Sequence, residues 1–157
     1  MSARNEPRPE LAAVYDLRPH PEGGWYRRTW TAPDSIRRIL PDGTERVRAA
    51  ATLILFYLDP GECSAWHRVA SDEVWIWTGA GPISVQLGGH SNTPSDNNPN
   101  NNNPVTVLGP DPRAGHQPQL LVPAGVWQRT LPSTEPGLAS CLVSPGFDFA
   151  DFTLASS

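Results

Sequence analysis

The sequence predicts an all-β fold, and three observations predict it. Eighteen prolines and 13 glycines in 157 residues punctuate the chain too often for long helices. No long segment repeats its apolar residues at the 3.6-residue helical period. The apolar runs are instead short, with period-two alternation, and are bounded by Gly, Pro and Asp at the spacing of barrels and sandwiches. The length suits one domain with a real core and is too short for two ordinary ones.

Residues 1–10 are polar, with two prolines, and read as a disordered leader to a domain over 11–154. Leu11 to Leu17 reads as a short helix ending before Pro19, because the residue preceding a proline disfavours helical geometry. His20-Pro21-Glu22-Gly23-Gly24 is a turn whose glycines allow a sharp bend into a strand from Trp25 to Trp30. Alternation puts Trp25, Arg27 and Thr29 on one face of that strand and Tyr26, Arg28 and Trp30 on the other, with Arg27 the candidate to face inward. Residues 31–48 contain Pro33, Pro41 and Asp42-Gly43 and read as a loop or hairpin tip, and Ala50 to Leu58 as a buried strand.

The stretch from Gly61 to Gly79 organises the rest. Cys63, Ala65, His67 and Val69 form one period-two face, Ala70 to Asp72 supply a turn, and Glu73, Trp75 and Trp77 resume the alternation. If both faces point inward, His67 and Glu73 share one interior, where Val or Leu would fill the space at less cost than an imidazole and a carboxylate. Strands are further expected at Pro82 to Leu87, Val105 to Leu108, Leu120 to Val122, Val126 to Leu131 and Ala139 to Val143. Residues 91–104, SNTPSDNNPNNNNP, have no means of burying apolar area and read as a flexible loop. Closure of these strands into a barrel removes exposed edges and leaves a mouth into which several strands point side chains.

Bulk properties exclude several classes. A net charge of −4 with 18% charged residues lacks the basic footprint of nucleic-acid binders. No apolar run approaches the roughly 20 residues of a membrane span, and MSARNEPRPE lacks a secretory apolar segment, so a cytoplasmic protein with no membrane partner is expected. Cys63 and Cys141 stand far apart in no CxxC pattern and read as buried thiols. Neither a Gly-x-Ser-x-Gly elbow nor a phosphate-binding glycine fingerprint occurs.

The spacing Gly61, five residues, His67, then Glu73, five residues, Gly79 resembles the first motif of the cupin superfamily, and Pro123-Ala124-Gly125-Val126-Trp127-Gln128 resembles its second. With HPEGGWYRR near the start and LVSPGFDFADF near the end, the chain resembles the cupin-five branch, a small family similar to sugar-nucleotide epimerase-type cupins. The resemblance implies a double-stranded β-helix, or jelly roll, a homodimer, and a pocket lined in part by the glycine-preceded strand. The family often has an acid where this sequence has Arg28. The superfamily's usual metal site takes His-x-His, a glutamate and a last histidine, but here Val69 and Gln128 stand at two of those positions, so no metal or other cofactor is expected.

A depleted ligand set of this kind still serves proton chemistry, since imidazole titrates near neutrality and a neighbouring carboxylate tunes it. The expectation is a metal-independent isomerase, epimerase or cyclase that moves a proton next to a carbonyl in a small cyclic metabolite. His67 is the expected acid or base, Glu73 its orienting partner and Arg27 the stabiliser of developing negative charge, with Trp25, Trp75, Trp77, Trp127 and Gln128 in contact with substrate. A metal-dependent oxygenase or decarboxylase and a non-enzymatic ligand-binding module are the alternatives.

Overall fold

The structure, a computed structural model, describes residues 7–40, 42–95 and 104–156. In chain order these form α1 (Glu10–Val14), β1 (Arg18–Pro19), β2 (Trp25–Thr31), β3 (Ser35–Ile39), β4 (Glu45–Ala49), β5 (Thr52–Leu58), β6 (His67–Val69), β7 (Asp72–Ala80), β8 (Ile83–Leu87), β9 (Val105–Leu108), β10 (Gln119–Val122), β11 (Gln128–Thr130), β12 (Gly137–Ser144) and β13 (Phe152–Leu154). All pairings between these strands are antiparallel. One sheet runs β1-β2-β5-β12-β7-β10, a second runs β13-β6-β11-β8-β9, and β3 and β4 form a separate hairpin. No helix among the described residues is long and apolar enough to cross a membrane.

Period-two alternation decides which residues meet between the sheets. Phe56, Leu58, Trp75, Val85, Leu108, Val122, Ala139 and Cys141 belong to the main buried cluster, with Phe56 and Trp75 edge to face at 5.5 Å. Such a ring pair adds about 0.5–1.5 kcal/mol beyond its burial. The opposite face of the first sheet is covered by α1, where Ala12 and Leu17 pack on Trp25, Tyr57 and Leu138. Three strands of the first sheet are graded along their length. Thr52 and Ile54 on β5, Val143 on β12 and Glu73 on β7 line a cavity, while Phe56, Leu58, Ala139 and Trp75 further along the same strands fill the core.

Several expected boundaries differ. The helix is five residues long, because Asp16 adopts a left-handed φ of 54° just after its C-cap at Tyr15. Residues 1–6 of the expected leader and 96–103 of the expected loop lie outside the described residues. Arg8, within the leader, donates to Asp16 Oδ1 at 3.1 Å and to Leu17 O at 3.3 Å. The 31–48 segment is largely strand, forming the β3–β4 hairpin around the Asp42-Gly43 turn. In the central stretch only His67–Val69 pairs as the first strand, and Cys63 is exposed. The sequence expectation had no counterpart to β13, which pairs with β6 in the register Phe152↔Val69 and Leu154↔His67.

Candidate functional site

The site is assembled around the HPEGG turn. His20 N donates to Gly24 O at 2.9 Å and Gly23 N to His20 O at 3.0 Å, closing a tight loop that needs positive φ at both glycines, 109° and 74°. The turn also lies against the backbone of the stretch before β6, since Ala65 N donates to Glu22 O at 2.7 Å. Glu22 thereby enters the barrel, only 8% exposed.

His67, 2% exposed, meets it there. Its Nε2 lies 2.7 Å from Glu22 Oε2 and its Nδ1 2.8 Å from Ala65 O, so both ring nitrogens are engaged. On the neighbouring β11, Gln128 pairs in register with His67, and its amide spans two partners. Gln128 Oε1 accepts from Trp75 Nε1 and Gln128 Nε2 donates to Glu73 Oε2, each at 2.8 Å. These two chains of hydrogen bonds face one cavity of about 320 Å³, whose lining includes His20, Glu22, His67 and Glu73. Its apolar wall is Tyr26, Ile54, Phe147, Phe149 and Phe152, with Phe152 5.6 Å from the His67 ring.

The electrostatics separate the two carboxyls. Burial alone raises the pKa of Glu22, but the charge and hydrogen bond of His67, with a further contribution from His20, hold it below the ordinary carboxylate value. Burial pushes His67 down, and the Glu22 charge and hydrogen bond, then the Glu73 charge and the Ala65 carbonyl, outweigh it and raise His67 to about 9. Glu73 is raised to about 6, chiefly by burial and also by the Glu22 charge, against the opposing effects of His67, Gln128 and Cys141. Burial, followed by the two glutamates, keeps the Cys141 thiol protonated. At neutral pH the site therefore holds an imidazolium bound to a carboxylate, beside a second carboxyl that titrates close to neutrality.

The structure brings His67, Glu73 and Gln128 together, but the partner of the His67 ring is Glu22 and not Glu73. Arg27 lies on the strand face turned toward α1, its Nε donating to Tyr15 O at 2.8 Å, and it reaches only the cavity mouth. The face of β2 that looks into the cavity carries Tyr26 and Arg28, opposite Phe56 and Ile54 of β5. None of the four expected tryptophans lines this cavity, which corrects the expectation that they wall it. Trp25 packs under α1; Trp75 and Trp77 sit further along β7 in and against the core. Trp127, next to the inward Gln128, packs under the Arg68 guanidinium at 4.5 Å and donates to Ser91 O at 2.7 Å. The aromatic wall comes instead from residues 147–152.

The match to the family described as Cupin superfamily (DUF985) runs from residue 9 to 155. The chain belongs to that cupin family. A Shewanella oneidensis protein of known structure is 28% identical, with a TM-score of 0.74 over 99% of this chain and 86% of that one. A hypothetical protein from Leishmania major is 26% identical, with a TM-score of 0.73 over 91% and 84%. A cupin-like protein from Thermotoga maritima, at 11% identity and a TM-score of 0.51 over 85% and 76%, shares the fold. A search of curated proteins found no match.

The cupin metal site does not fit these residues. Val69 offers no donor atom, the Gln128 amide oxygen is taken by Trp75, and His67 Nε2 is bound by Glu22. Among the described residues no group of three or more His, Cys, Asp or Glu side chains is arranged to hold a metal ion. Of the four ligand positions one imidazole, one carboxylate and one amide remain, and their donor atoms are engaged with Glu22, Gln128 and Trp75, a poor set for a first-row divalent ion.

Proposed function

We propose that this cupin is a metal-independent isomerase or epimerase that moves a proton next to a carbonyl in a small cyclic metabolite. One observation carries the reading: two buried carboxyls beside one imidazole are biased in opposite directions, Glu22 toward the ionised form and Glu73 toward the protonated form. Environments that push paired acids apart assign their roles. Glu73 is the group that exchanges its proton, because a pKa of about 6 keeps it mostly ionised at neutral pH yet basic enough to accept a proton from carbon.

His67 then acts as a fixed cation rather than as the base, since both ring nitrogens are already bonded. Its charge opposes the negative charge that develops on the substrate oxygen as Glu73 removes the proton. Return of that proton to a neighbouring atom on the same face needs only Glu73 and completes an isomerisation. Epimerisation at one carbon needs a second donor on the opposite face, for which the Tyr26 hydroxyl in the same cavity is the candidate. The apolar wall of Phe147, Phe149 and Phe152 suits a flat or ring-bearing body. The homodimer implied by the family resemblance is part of this reading, and sizing with light scattering tests it by looking for twice the chain mass.

The engagement of both His67 nitrogens favours one alternative, a binding module that holds the same ligand without turnover. Incubation with a panel of cyclic carbonyl metabolites in deuterated water separates the two. Deuterium entering at the carbon beside the carbonyl, lost in Glu73→Gln while ligand affinity persists, supports the isomerase. Exchange that survives Glu73→Gln, or tight binding with no exchange across the panel, refutes it.

A further inference from the structure

The mouth of the cavity carries chemistry that proton transfer does not use. Arg18, Arg27 and Arg28 all line it, three of the 12 basic side chains in a chain of net charge −4. Positive charge is thus gathered here against the trend of the molecule. Arg18 pairs in register with Tyr26, which places it on the strand face that also carries Arg28. Main-chain carbonyls steady the other two: Arg27 Nε donates to Tyr15 O and Arg28 Nη2 to Phe147 O, both at 2.8 Å. A guanidinium has five N–H donors, so each of these bonds leaves most of the fork for another acceptor. The acid at the mouth, Asp16, is paired with Arg8 at 3.1 Å.

The inner end has the opposite character, two carboxyls around one imidazolium. An anion is therefore favoured at the mouth and opposed at the bottom, so the charges orient a ligand as well as hold it. Between the ends stand the three phenylalanines. Arg28 on β2 and Glu73 on β7 are three strand spacings apart in the order β2-β5-β12-β7, about 14 Å across the strands, with Glu73 two residues from the position in line with Arg28, and both side chains reach into the cavity between them. A molecule with one ring and a short acidic arm spans that interval.

We propose that the ligand is a small anionic amphiphile that places a carboxylate or phosphate group among Arg18, Arg27 and Arg28, its ring against Phe147, Phe149 and Phe152, and its other end toward Glu73. Which end reacts rests on the proton-transfer reading; the preference for an anion is a binding property that stands apart from it. Arginine is suited to the role because its planar fork makes two parallel charge-assisted bonds to such groups. A neutral isostere of the same shape forfeits those charge-assisted bonds, and because all three arginines are exposed the preference is of the modest, salt-screened kind.

The test is a calorimetric comparison of three matched probes, 3-phenylpropionate, 3-phenylpropanamide and phenethyl phosphate. The anions are expected to bind about tenfold more tightly than the amide, a preference that weakens as salt is raised. The Arg18→Gln/Arg28→Gln double variant should reduce that preference to within about threefold, with Arg27→Gln giving a smaller loss if the double variant does not fold. Preference for one anion alone narrows the class to carboxylates or to phosphates. In the unmodified protein, absent deuterium exchange with intact anion selectivity refutes only the catalytic reading. Amide binding as tight as that of both anions, or selectivity unchanged in the arginine variants, overturns the proposal.

Discussion

Replacing Glu22 with Gln tests the central contact of the site. The substitution keeps the size of the side chain and removes one negative charge 2.7 Å from His67 Nε2. What remains acting on the imidazole is burial, which lowers its pKa, against the Glu73 charge and the Ala65 carbonyl. His67 is expected to fall from about 9 to its ordinary 6.5 or below. That fall corresponds to about 3 kcal/mol of lost preference for the imidazolium, at about 1.4 kcal/mol per pH unit. Because the folded value stands above the unfolded one, the stabilisation is fully present below about pH 6.5 and is lost as pH rises through about 9. Wild-type protein should therefore lose stability across that window, and Glu22→Gln should show little of the slope. Heteronuclear NMR titration of the four histidine rings, together with urea denaturation at either end of the window, reads both effects. An imidazole that still titrates near 9 in the variant, or wild-type stability that stays flat or rises from 6.5 to 9, refutes the ion-pair account.

Three further outcomes follow from the same geometry. Gln128→Leu strips Trp75 Nε1 of its acceptor and Glu73 of its donor; a loss of about 1–3 kcal/mol for each buried group left unpaired is expected in denaturation, with Glu73 moved above 6. Gly24→Ala builds a Cβ 2.9 Å from Tyr57 O at a φ of 74°, so thermal melts should show a loss above about 2 kcal/mol and the HPEGG turn should no longer hold Glu22 in place. Val69→His combined with Gln128→His puts two imidazoles beside His67 on the cavity face, and zinc affinity by competition titration should rise at least about 100-fold over wild type; no increase refutes the assigned strand faces.

The cupin fold and much of the ionisable site were legible because both are written in local pattern. Alternation from His67 to Trp77 put His67, Val69 and Glu73 on one interior, and the second motif placed Gln128 opposite. Glu22 escaped notice although it sits in the turn directly before the strand read as pocket-lining. Its signal was available, a carboxylate directly before two glycines in a turn whose purpose is a sharp bend into the barrel. The direction of Trp30 was not legible. A register shift between Arg28 and Trp30 pairs Trp30 with Leu53 and puts it on the outer face, where strict alternation had grouped it with Tyr26 and Arg28.

By itself the sequence determined most of the strand positions, the shared inward face of His67, Val69 and Glu73, and the residue types at the ligand positions, since these depend on residue type and a period of two. Tertiary structure decided which side chains from distant segments meet. It brought Glu22 to His67 through the contact of Ala65 N with Glu22 O, and it placed Phe152 on the cavity wall by pairing β13 with β6. Arg48 fastens the same terminal segment through Asp151, at 2.7 and 3.0 Å. The tryptophans went to the core and the outer faces where partners meet them, Trp25 under α1, Trp75 beside Phe56 and Trp127 under Arg68. Alternation fixes a side chain's hemisphere, but its neighbour across the barrel depends on strand order, register and loop closure, which no local window contains.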